Sequence, residues 1–168
     1  MILYATPIRK NDYLLSRFIA VSSLSFLCFA LFAAGFAIGQ LILIGKDDYT
    51  DFKFSFYLQP ILVFGLVNTL FCSAILCCIA WVSKNKLMVY VTGLFIYILY
   101  MVMLIFSGSP IMAKGMPQSA TNVLLSASLD PFGVSAYFLQ TSKWTVVQRN
   151  TASIPLAGML LLNRLGVL

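Results

Sequence analysis

Five aspartates, eleven lysines and arginines and four cysteines carry most of the reactive side chains of this chain, which has no histidine and no glutamate. Without those two types, H-E-x-x-H zinc peptidase chemistry, histidine-based triads and the usual general bases are absent. A G-x-x-x-x-G-K-[ST] phosphate loop is missing as well. Asp12, Asp47, Asp48, Asp51 and Asp130 never pair inside an apolar stretch, so catalysis by this chain alone is not expected. Cys28, Cys72, Cys77 and Cys78 all lie within apolar runs and show no C-x-x-C spacing. They suit small polarizable packing groups better than a metal or redox site. No cofactor or metal is expected on the chain itself. Three placements stand out instead. Asn68 sits inside an apolar run and needs a partner for its amide. Asp130-Pro131 has the form of a helix start, a carboxylate that accepts a backbone N–H followed by a residue with preset helical φ. The third is a basic, tyrosine-bearing stretch near the start, YATPIRKNDYLLSRFIA (4–20).

The elements that must carry these residues are set by hydropathy. The chain is 61% hydrophobic and only 10% charged, with a mean hydropathy of +0.95. A soluble chain carries charge on about a quarter of its residues. A core built from 168 residues cannot absorb so much apolar surface, whereas a lipid bilayer can. The net charge of +6 forms no basic stripe with interleaved aromatics, so nucleic acid is not an expected partner. The cations flank apolar runs, as expected beside anionic lipid or the cytoplasm. A crossing helix needs about 20 apolar residues. Runs at 18–44, 58–82 and 87–106 meet that length and predict three complete transmembrane helices in an all-α bundle, one membrane domain over 1–168. The first contains Gly35 and Gly39, a G-x-x-x-G strip on which another helix can approach closely. Asn68, in the second, is expected to face the bundle interior. Pro60 lies in the first turn of that run, where proline is tolerated.

The long outer loop, 107–153, is too apolar for an ordinary loop and too interrupted for a span. It predicts short interfacial or re-entrant helices, one starting at Asp130-Pro131 with Phe132, Ala136 and Leu139 on one face. Phe132, Tyr137, Phe138 and Trp144 are expected at headgroup level. A fourth run, 154–168, covers only about 22 Å at helical rise and carries Asn163 and Arg164. It is expected to be a truncated span, and the chain a fragment of a longer membrane protein. With the N-terminus inside, Arg9, Lys10, Arg17, Lys84 and Lys86 fall on the inner side and Lys46, Lys53, Lys114, Lys143 and Arg149 on the outer. That count is even. The shorter inner segments give the higher cation density and favour N-in.

The opening stretch itself predicts a short surface helix before the first span. Pro7 starts it, Arg9, Lys10 and Arg17 hold its polar side, and Ile8, Tyr13, Leu14 and Phe18 form its apolar side. Such a helix anchors at the membrane interface or docks in a groove on a soluble partner. ATPIRKNDYLLSRF resembles the cytoplasmic coupling segment of bacterial type-2 ATP-binding-cassette (ABC) exporter permeases. FYLQP (56–60), SASLDPFGVSAYF (126–138), KWTVVQRNT (143–151) and AGMLLLNRL (157–165) are similar, in the same order, to one Bacteroidetes-type subgroup in which a zinc aminopeptidase region often follows. The resemblance implies a multi-pass protein of the bacterial cytoplasmic membrane, forming part of a transport path and driven by a separate ABC ATPase subunit that carries ATP and Mg. It also implies a dimer of permeases or permease halves. By motif, Thr6, Pro7, Ile8, Arg9, Tyr13 and Arg17 within 4–17 would contact the ATPase. The elbow helix and two spans that precede this segment in the family have no counterpart in the sequence. A small non-transporting membrane scaffold or anchor is the alternative.

Overall fold

The computed structural model describes residues 9–43, 52–107 and 120–168. Every regular element among them is helical. The first, α1 (Lys10–Ile42), is one unbroken helix of 33 residues. Nothing in its first 25 positions breaks a helix, because glycine first occurs at Gly35 and proline not at all. Its serines return their hydroxyls to the helix, Ser16 Oγ to the Tyr13 carbonyl at 2.9 Å and Ser23 Oγ to the Ala20 carbonyl at 3.1 Å. The expected separate surface helix is therefore not separate: from Lys10 onward the basic stretch and the span are continuous. Thr6, Pro7 and Ile8 lie outside the described residues. At about 1.5 Å per residue α1 is about 50 Å long, against a hydrocarbon core of about 30 Å. One end must project beyond the hydrocarbon, and the charges Asp12 and Arg17 mark which.

A second helical run, Ser55–Ser83, extends the expected 58–82. It consists of α2 (Ser55–Pro60), a π-helical turn (Ile61–Leu66) and α3 (Val67–Ser83). Pro60 offers no N–H to the helical ladder, and the ladder directly after it shifts to the wider π spacing. Buried Gly65 in that turn lets α1 cross closely, since a Cβ there would meet the ring of Phe29. Further along, the Tyr57 hydroxyl donates to Gln40 Oε1. Lys84 and Asn85 then reverse the chain. Lys84 adopts the left-handed conformation (φ 51°), and Asn85 Oδ1 accepts the Leu87 N–H at 3.0 Å to start α4 (Lys86–Phe106). The beginning of α1 and the Lys84-Asn85 turn share one end of the bundle. Gln40 and Tyr57 meet towards the other.

Four short helices follow: α5 (Ala120–Leu129), α6 (Val134–Thr141), α7 (Val146–Thr151) and α8 (Gly158–Val167). Three of them fall in the long loop where short helices were expected. A capping box, with Thr145 and Gln148 exchanging bonds at 3.3 and 3.0 Å, starts α7. The last run, expected over 154–168, is helical only over Gly158–Val167. The innermost core lies here, where Ala127, Ala136 and Leu160 are fully buried beneath Phe64, Tyr137 and Met159. The three long helices turn most of their apolar surface outward: only 6% of the most apolar window of α1, 22% of that of Ser55–Ser83 and 6% of that of α4 is buried. Helices this long and apolar, yet this little covered, are suited to a bilayer and not to water. The chain is a membrane protein with three helices able to cross. Gly35 and Gly39 face outward, and a Cβ on either meets nothing within 4 Å.

Candidate functional site

The turn between α5 and α6, residues 130–133, is the most polar buried point of the described chain. Its position follows from two ring contacts: Phe132 stands edge-on to Tyr100 at 5.3 Å and to Phe71 at 6.3 Å. Tyr100 lies six residues before the end of α4, about 9 Å along the axis. The tip is therefore set well down the wall formed by α3 and α4. Phe132 is buried with 4% exposure, because two aromatic rings of the spans receive it.

A turn in this position leaves backbone groups without helical partners, and each must be satisfied from elsewhere. Asp130, fully buried, handles the donors: one carboxylate oxygen accepts the Phe132 N–H at 2.8 Å and the other the Ser135 N–H at 2.7 Å. The expected helix start is displaced by this arrangement. The helix begins at Val134, after Gly133, and Asp130 caps it from outside across the turn, with Pro131 inside the turn and not in the first helical residue. The acceptors are handled by α8. Asn163 Nδ2 donates to the Ala127 and Asp130 carbonyls at 3.2 and 2.7 Å. Arg164 Nη2 donates to the Pro131 carbonyl at 3.0 Å, and its Nη1 to Asn68 Oδ1 at 2.8 Å. Asn68 Nδ2 in turn donates to the Phe132 carbonyl at 3.3 Å. The guanidinium also bonds Asn163 Oδ1 through Nε at 3.1 Å and Nη2 at 2.6 Å, and lies 5.7 Å from the Phe64 ring centre.

Three elements thus close on one turn. Asn68, expected to face inward, does so and binds the tip. Asn163 and Arg164 carry most of the knot, although the sequence presents them only as interruptions of a short apolar run. Arg164 is 5% exposed, and the opposite charge acting on it belongs to Asp130. The knot is thus balanced in charge. Gly133 makes it possible: its φ is +72°, and a Cβ there would collide with the Arg164 guanidinium. Arg164 and Gly133 form a lock, the planar cation lying where a side chain would otherwise stand.

Of the expected coupling residues, the described ones, Arg9, Tyr13 and Arg17, lie at the other end of the bundle. Arg9 precedes α1 in extended conformation, and its carbonyl accepts the Tyr13 N–H at 3.2 Å. The Arg17 guanidinium sits 4.8 Å from the Tyr13 ring centre. Both residues line an open groove of about 690 Å³ between α1 and α3, opposite Trp81 and Lys84. Among the described residues no three of His, Cys, Asp and Glu converge on a point. No known protein family, curated protein or solved structure matches this chain.

Proposed function

We propose that the chain is the membrane-spanning part of an ABC-type exporter of the bacterial cytoplasmic membrane, moved by a separate ATPase subunit that holds ATP and Mg. The observation that carries this reading is the turn 130–133. Non-helical backbone at membrane depth is tolerated only where protein buries it or where it lines a cavity, and such broken helices belong to transport paths. A scaffold or anchor needs helices that cross and nothing more. On this reading α5 and α6 form a re-entrant hairpin on the outer side, α8 packs against it, and Arg164 of α8 holds the hairpin tip.

The ordered similarity of the opening stretch supports the same reading at the opposite end. Because α1 is continuous from Lys10 to Ile42, a push on its projecting end tilts the whole span. ATP-driven closure of an ATPase dimer would move α1 as a rigid rod, with no joint to absorb the motion. The path is completed by a second permease or permease half, for which the outward strip at Gly35 and Gly39 offers a close-packing face.

The test is co-purification with a candidate ABC ATPase expressed together with the chain. Truncating an anchor residue in a buried groove costs at least about 2 kcal/mol, and a rim charge far less. Tyr13→Ala should release the ATPase or separate ATP hydrolysis from transport, and Lys10→Ala should leave both intact. Normal retention and coupling in Tyr13→Ala would favour the anchor alternative.

A further inference from the structure

The groove between the start of α1 and the end of α3 combines two features that the transport reading does not use together. Its floor is apolar, with Leu14, Phe18 and Cys77. Its rim carries two cations, Arg17 from α1 and Lys84 from the turn after α3, while Asp12, the nearest acidic side chain on α1, is not among the lining residues. Tyr13 and Trp81 line the same groove, and amphipathic rings of this kind settle at the membrane boundary. Arg17 is held over the Tyr13 ring at 4.8 Å. Lys84 occupies a left-handed position (φ 51°) at a helix end, where glycine or asparagine is the usual choice. A cationic residue is thus kept where the backbone would favour a smaller one.

We infer that this groove is a binding site for one anionic phospholipid, its acyl chain along the apolar floor and its phosphate between Arg17 and Lys84. Charge complementarity and the groove's opening at the boundary select this occupant. A zwitterionic lipid brings an ammonium group against two cations, and a free phosphate leaves the floor empty. The inference does not rest on the transport reading, and its test contains no ATPase.

The chain has two tryptophans, Trp81 and Trp144, so in a Trp144→Phe background the groove carries its own reporter. The protein is reconstituted in vesicles containing brominated phosphatidylglycerol or brominated phosphatidylcholine, and quenching of Trp81 is compared. Each cation near the surface is worth about five-fold in anionic lipid affinity. Phosphatidylglycerol should therefore quench about ten-fold or more effectively at equal bulk fraction. R17Q/K84Q should bring the two lipids close to equal, with unchanged elution and Trp81 emission maximum as the check on folding. K143Q, in the segment between α6 and α7, should leave the preference intact. Equal quenching in the parent, or a preference that survives in R17Q/K84Q, overturns the inference. So does loss of the preference on adding millimolar inorganic phosphate, which would make the site one for a free anion.

Discussion

Arg164 donates to three acceptors in three directions, a side-chain amide on α3, a carbonyl of the turn and its own neighbour Asn163. The guanidinium spreads its donors over three nitrogens in a fixed planar fork, whereas an ammonium offers its three donors from a single point and reaches acceptors this far apart less well. Hydrogen bonds inside membrane bundles average about 0.6 kcal/mol, so losing these contacts costs about 2 kcal/mol. Leaving Asp130 buried without its counter-charge adds to that. Arg164→Ala should lower stability by about 3 kcal/mol in reversible unfolding in micelles, and Arg164→Lys should recover less than half. Gly133→Ala tests the lock from the other side. It should cost more than the 1–2 kcal/mol typical of a left-handed non-glycine residue (roughly, from helix handedness), because the guanidinium must also leave. In an Arg164→Ala background the space is free, and only the conformational part of the cost should remain. Additive costs would show that Gly133 and Arg164 do not share the site. The inward role of Asn68 was legible because an amide in an apolar run always needs a partner. Its partner was not legible: Arg164 is 96 positions away, no local pattern links the two, and an arginine near the end of a short apolar run looks like the end of the run.

Helices were legible as apolar runs, yet the runs and the helices do not coincide. An apolar run reports the thickness of hydrocarbon, while a helix continues until its backbone meets a breaker. α1 therefore starts at Lys10, eight residues before its uncharged part, and Ser55–Ser83 starts three residues before the expected 58. The π turn after Pro60 escaped the sequence because proline in a first turn is harmless. The extra preceding turn of α2 places it inside a helix and shifts the ladder. Continuity of α1 carries its own prediction. Two glycines inserted between Phe18 and Ile19 add a flexible joint between the projecting end and the span, each costing about 1 kcal/mol of helix propensity. If the proposed coupling holds, the ATPase should still co-purify, since the proposed contact residues are unchanged, but ATP hydrolysis should lose its link to transport. Retained coupling would mean that α1 is not the rod through which motion passes.

At the scale of the whole molecule the question is on which side each segment emerges. α1 and the Ser55–Ser83 run are antiparallel, sharing the groove at one end and the Gln40–Tyr57 bond towards the other. The Lys84-Asn85 turn belongs with the first end. Lys53 and both outer ends of the α5–α6 pair belong with the second, because the tip at Phe132 reaches only to the level of Tyr100 and the chain then turns back. A segment that crossed once without turning back would put Ser142 beside Asn85. The chain's four cysteines are free, so replacing them with alanine gives a background in which single cysteines at 53, 85, 128 and 142 can be labelled with an impermeant maleimide in oriented vesicles. Positions 53 and 142 should react from one side and position 85 only from the other. Position 128, two residues before the tip, should react slowly, and from the side of 53 and 142. That slow reaction decides between a hairpin lying on the surface and one that dips. On the surface, 128 is as open as 142 and reacts as fast. Dipped, it stands just short of a tip that lies about 9 Å below the end of α4 by helical rise, where a water-soluble reagent is scarce. Labelling of 128 from the side of 85, or of 142 and 85 from one side, would remove the re-entrant hairpin and with it the observation on which the transport reading stands.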